Sequence, residues 1–212
     1  MSYTQDVVDL MDRHAVRSRM HADDTQFYDS CRPSDIDSLR ARLSHCASDT
    51  DLWCRSRRLQ LNANKTEAIW FGSKLNLSKL STANKSVQVG SATIHPSAIV
   101  RDLGLYLDSE LSMKHHVAKV AAVCFYHLRH LRQIRRRVGT EVTIRLVLAV
   151  VISRLDYCNS LLAGAPLATL GPLQRVQNAA ARLIFELTSR YHISPSLMQL
   201  HWLPVSWRIE YK

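Results

Sequence analysis

Apolar residues recur along this chain with two different periods, and the change from one to the other divides it. Over 34–58, Ile36, Leu39, Leu43, Cys46 and Trp53 return at helical spacing, which predicts one long helix. Ser34 with Asp37 fits a capping box at its start. Arg55, Arg57 and Arg58 close it, where cations complement the negative end of the helix dipole. Shorter, β-branched or alternating runs surround that helix. Val16 to Met20 and Thr25 to Tyr28 predict two strands of a hairpin, fed by a helix over Thr4 to Val16. Lys65 to Phe71 predicts a strand stopped by Gly72, after a loop at 61–64. Ser86 to Val89 and Ala92 to Ile94 predict two more, joined by the two-residue turn Gly90-Ser91. Ile99 to Leu107 reads as a further strand with Leu103, Leu105 and Leu107 on one face. Residues 73–85 show no strong element.

Beyond residue 112 the pattern is helical. Val117, Val120, Cys124, Leu128 and Leu131 form one stripe over 114–137. Ile144, Val147, Leu148, Val151, Leu155, Cys158 and Leu162 form another over 140–163, with Gly164 and Pro166 as stop signals. A third helix is expected from Pro172 with Leu173, Val176, Ala180, Leu183 and Leu187, and a last one from Pro204. The pattern predicts an α+β fold: residues 1–112 mixed, residues 113–212 all helical.

Charge changes at the same place. Of 28 basic and 18 acidic side chains, residues 113–212 hold 14 basic and only 4 acidic, so the whole formal excess of +10 lies there. Such a surplus suits a polyanionic partner, and equally a solvated basic helix. On the 114–137 helix, Arg129, Arg132 and Arg136 share a face offset from the apolar stripe, a row that fits phosphate contacts or a solubilising surface. Arg135 falls on the stripe itself, so either the helix ends there or the side chain snorkels outward.

The longest apolar run, Leu146 to Ile152, is too short to span a bilayer, and the N-terminus lacks a hydrophobic signal region. Five cysteines without a CxxC pair read as reduced thiols, so a cytoplasmic or nuclear location is expected, not secretion. His115-His116 reads as a surface pair, because adjacent histidines point to different helix faces. His45, Cys46 and Cys54 lack a second pair at zinc spacing. Trp202 and Trp207 read as packing residues. Both ends of the chain look cut, as in a piece of something longer.

The most pointed chemistry is Asp23-Asp24 at the hairpin tip. Two adjacent carboxylates there suit a divalent metal, as nucleotidyl transfer by two Mg²⁺ ions requires, although an Asp pair is also an ordinary turn. Lys65 has the chemistry of a proton donor to leaving pyrophosphate, or of a solvated lysine beside Glu67. These residues belong to six blocks: ADDTQFY at 22–28, LNANKTEAIWFG at 61–72, VRDLGLYLDSELSM at 100–113, LDYCNSLLAG at 155–164, LQRVQNAAARLI at 173–184 and HWLPVSWRIEYK at 201–212. In that order they resemble the later part of the reverse transcriptase domain of LINE-type, Jockey-like non-LTR retrotransposons.

The resemblance implies a right-hand polymerase, with the later palm up to about residue 112 and a basic thumb-like region after it. It implies that Asp23 and Asp24 are the catalytic pair and metal ligands, that Lys65 is the palm lysine, and that the strands over 86–107 position the primer end. RNA template and DNA primer would be the partners and Mg²⁺ the cofactor. His21 stands where the family usually has Tyr or Phe supporting the nucleotide or primer. The family's first catalytic aspartate and its nucleotide-pocket segment lie upstream of this hairpin. The chain is therefore expected to be an RNA-directed DNA polymerase by descent that is inactive alone. The alternatives are a non-catalytic nucleic-acid-binding module and a host-recruited helical interaction protein.

Overall fold

The structure, a computed structural model, describes residues 5–22, 24–80 and 85–211, and the chain divides into two compact units. The first comprises residues 1–101 with 108–111; the second comprises residues 102–107 with 112–212. Helices and small two-stranded sheets make up a mixed α+β fold. Among the described residues no helix is long and apolar enough to cross a membrane.

In the first unit, α1 (Gln5–Arg13) leads into a hairpin of β1 (Arg17–His21) and β2 (Asp24–Tyr28), and both rest near α2 (Ile36–Ser56). Val7, Met11, Val16 and Cys46 form the buried centre, with Met20, Phe27, Leu43 and Trp53 packed around it. Asp29, just past β2, ties the hairpin to α2 by pairing with Arg17 and Arg42. The Ser30 backbone N–H, foremost, and then these guanidiniums hold its carboxyl below the ordinary carboxylate range. The expected capping box does not form. A short 3-10 turn (Pro33–Asp35) precedes α2 instead, and the Ser34 hydroxyl donates to Asp35 at 2.9 Å.

The remaining strands are short. After α3 (Lys74–Ser78), β3 (Val87–Val89) and β4 (Ala92–Ile94) pair antiparallel across Gly90-Ser91, as their spacing predicts, and β3 packs on α2. Gly90 has φ +58°, and a Cβ there would stand 3.0 Å from the Asp51 carboxylate, so the turn needs its glycine. No ladder forms over 65–71. Ala68 makes one parallel bridge, to Pro96, whose missing N–H cannot extend it. The single strand expected over 99–107 is two, β5 (Ile99–Asp102) and β6 (Leu105–Asp108). Leu103 and Gly104, at φ +44° and +87°, turn the chain back between them.

The second unit is otherwise helical. α4 (Lys114–Val147) bends at Gly139, where φ is +73° and ψ is 178°. A π-helical turn (Leu148–Ile152) follows, then the single turn α5 (Ser153–Asp156). The wider turn shifts the apolar stripe: Ile152 is buried while Leu148 is exposed. The helix expected to reach residue 163 stops at Asp156. Tyr157 is extended and Cys158 left-handed, which swings the Tyr157 hydroxyl to donate to the Leu103 carbonyl at 2.6 Å.

α6 (Leu167–Ile184) begins five residues before Pro172. The helix tolerates this proline because the carbonyl it leaves unmatched belongs to Ala168, which is exposed to water. α7 (Ser194–Gln199) and α8 (Val205–Glu210) close the unit. The core runs from Val117, Cys124 and Leu131 of α4 through Val151 to Val176, Ala180 and Ile184 of α6, and ends at Trp202 and Ile209.

Candidate nucleic-acid interface and hairpin carboxylates

The hairpin separates its side chains by alternation. Met20 and Phe27 turn inward to the core, whereas Arg17, Arg19, His21, Asp24 and Tyr28 share the other face. His21 lies directly across from Asp24, and both are exposed. Arg17 sits over the Tyr28 ring at 5.7 Å, so this face carries cations and an aromatic beside the carboxylate. Asp23 lies outside the described residues.

Lys65 closes a 3-10 turn (Ala63–Lys65) that starts at Asn62, whose side chain accepts from the Asn64 N–H at 3.1 Å. It is exposed, and among the described residues no hydrogen bond or ion pair joins it to Asp24. A two-magnesium centre needs several oxygen donors converging from more than one element. Among the described residues no three His, Cys, Asp or Glu side chains converge, and β1 and β2 have no third strand beside them. The described residues do not by themselves fit a two-metal donor set.

The basic row on α4 is present and open to solvent. Arg129, Arg132 and Arg136 are exposed on one side of the helix, and their backbone positions span about 10 Å along its axis. Among the described residues none of the three has a carboxylate partner. Several other arginines differ in kind. Arg42 pairs with Asp29, Arg55 with Asp51 at 2.7 Å, Arg57 with Asp6 at 2.9 Å, Arg145 with Glu141 at 2.6 Å, and Arg208 with Asp156. A row of unneutralised guanidiniums on one helix face suits phosphate contacts and a solvated surface alike.

Arg135 takes neither course expected of it. The helix continues past it, and the side chain stays inside, only 8% exposed. Its Nε donates to the Leu183 carbonyl at 3.3 Å and its Nη2 to the Ile184 carbonyl at 2.7 Å and the Thr140 hydroxyl at 2.9 Å. The guanidinium therefore caps the C-terminal end of α6, where unpaired carbonyls and the dipole favour a cation. Arginine on an apolar stripe is the signal that sequence reasoning met without resolving, because the carbonyls lie 48 and 49 residues away.

Two other expectations change. His116 is not at the surface but buried at the start of α4, where its Nδ1 accepts the Tyr106 N–H at 3.4 Å. His115 lies edge-on to the Tyr106 ring at 5.5 Å. Of the two tryptophans, Trp202 packs in the core, while Trp207 is 64% exposed, because α8 turns Val205 and Ile209 inward instead. The Cys46 thiol is buried in the first unit's core, and burial pushes its pKa up. Sequence reasoning also passed over Phe125, Tyr126 and His130, which are exposed beside the arginine row. Their spacing of four from Arg129 and from one another was the available signal. Comparison of this chain with protein-family models, with curated proteins and with solved structures gave no match.

Proposed function

We propose that this chain descends from the later palm and thumb of a non-LTR retrotransposon reverse transcriptase, and that what it does on its own is hold nucleic acid. The six sequence blocks support the descent. The observation that carries the binding is the row Arg129, Arg132 and Arg136, exposed and without carboxylate partners among the described residues. RNA–DNA hybrid is the partner that the resemblance names, and magnesium its cofactor. A cationic helix face reads the backbone of such a hybrid through charge and not through base identity. Asp23 and Asp24 are the metal ligands of the parent enzyme in this reading, Lys65 its proton donor, and His21 the residue under the nucleotide. One hairpin tip supplies too few donors to hold two magnesium ions firmly, since adjacent carboxylates repel each other.

Binding of a labelled RNA–DNA hybrid at several salt concentrations tests the reading. The wild-type chain should lose affinity steeply with salt. Replacing Arg129, Arg132 and Arg136 with Ala should flatten the log–log slope by about 2–3, since each phosphate neutralised by a cation adds roughly 0.9 to it. No binding at low salt defeats the proposal. The same preparation should not extend a primer on an RNA template, and extension that disappears in Asp23→Ala or Asp24→Ala would restore the enzyme.

A further inference from the structure

The arginine row on α4 does not stand alone. Phe125 precedes Arg129 by four residues, and Arg132 and Arg136 continue the same line along the helix. A neighbouring line runs through Tyr126, His130, Gln133 and Arg137. Aromatic rings thus occupy the N-terminal end of the face and guanidiniums its C-terminal end. Phe125 is 38% and Tyr126 55% exposed, so neither ring is taken up by the buried stripe of α4.

The rings are also held in place. Tyr126 and His130 stack at a tilt of 46° with centroids 4.2 Å apart, and the His130 Nδ1–H donates to the Tyr126 carbonyl at 2.9 Å. His127 meets the Tyr126 ring edge-on at 5.6 Å. Neighbours on both sides therefore restrict the tyrosine while leaving much of it open to solvent. A restricted, exposed ring loses little conformational freedom when something stacks on it.

We infer that this face binds single-stranded nucleic acid, with bases stacked on Phe125 and Tyr126 and phosphates against Arg129, Arg132 and Arg136. The inference deepens the nucleic-acid reading above and rests on it. In a duplex the base faces are already covered by neighbouring base pairs, so the rings would have nothing to take. An unpaired strand offers a π-face at every nucleotide as well as its phosphates, which is the combination that stacking platforms with basic grooves recognise. An anionic lipid surface also attracts arginine and aromatics. Here Arg129 and Arg132 fall between Phe125 and Ile134, and the continuous apolar stripe of α4 points into the core, which leaves no unbroken band to enter a bilayer.

The experiment compares two strands of about twelve units, oligothymidylate and an abasic strand with the same number of phosphates, on the full chain. Wild type should bind the thymidylate roughly 5- to 100-fold more tightly than the abasic strand. The double variant Phe125→Ala, Tyr126→Ala should lose that preference while still binding the abasic strand. Tyr126→Phe, which keeps the ring, should retain it. The triple arginine-to-alanine variant should weaken binding to both strands alike. All these positions are exposed, and circular dichroism checks that each variant is folded.

Equal wild-type affinity for the two strands would overturn the stacking inference and leave the phosphate-binding reading intact. Failure to bind either strand at low salt while the RNA–DNA hybrid still binds would overturn this inference alone, and failure to bind all three would overturn both. Binding to phosphatidylserine vesicles without binding to either strand would assign the face to a membrane surface and overturn the inference.

Discussion

Two buried polar side chains decide much of how the second unit responds to change. His116 accepts a backbone N–H through Nδ1, so in the neutral ring the proton resides on Nε2. Burial holds its pKa below the ordinary 6.5, and the folded chain takes up this proton less readily than the unfolded chain. Its support for the fold is therefore complete above about pH 6.5 and is withdrawn progressively as pH falls below that value. Thermal melts should show the midpoint dropping as pH falls below about 6.5, and His116→Gln, which keeps an acceptor without the titration, should flatten the drop. Arg135 is the other such residue. Arg135→Met would strip two donated bonds from the end of α6 and one from the Thr140 hydroxyl, costing about 3 kcal/mol by denaturant melts, and Arg135→Lys should recover only part, since one ammonium cannot repeat the forked geometry. Ala substitution at exposed Arg129 should leave the melt within about 0.5 kcal/mol of wild type.

Among the elements, those with strong periodicity were legible and those fixed by a single conformational choice were not. α2, the two hairpins around residues 22–23 and 90–91, and the first part of α4 follow from apolar spacing and turn residues alone. The reversal at Leu103-Gly104 was hidden because Leu103, Leu105 and Leu107 alternate as one strand would. Only the left-handed backbone of two consecutive residues reveals the turn. Pro172 misled in the other direction, since a proline reads as a helix start, whereas here it lies inside α6 with the exposed Ala168 four residues before it. Nothing local marks Gln177 as the fastener it is. Wholly buried on α6, it donates through Nε2 to the Leu203 carbonyl at 2.8 Å and accepts from Gln174, whose own Oε1 takes the Val205 N–H at 2.8 Å. These amides fix the chain where it enters α8. Gln177→Leu, similar in volume, should lower unfolding stability by about 1 kcal/mol, because it removes the bond to the Leu203 carbonyl and the one accepted from Gln174.

Across the whole molecule, charge and the functional reading divide in step: the first 112 residues are balanced, and the excess lies in the helical remainder. The candidate site divides likewise. Its basic half was visible in the sequence as an offset row of arginines, and its acidic half was visible as two adjacent aspartates. That no donor set converges around Asp24 among the described residues was not visible, because it depends on which strands stand beside the hairpin. The order of residues along the chain also fails to match the order of the folded units. Residues 102–107 belong with the helices, although 108–111 belong with the first unit. An excised C-terminal half that starts at residue 113 would therefore leave behind Leu107, which packs on the helical core, and the Leu103 carbonyl that receives the Tyr157 hydroxyl. A polypeptide starting at 102 should melt at a higher temperature than one starting at 113. Anyone dividing this gene for separate expression will find the useful scissor point ahead of a small loop, not at the foot of the long helix.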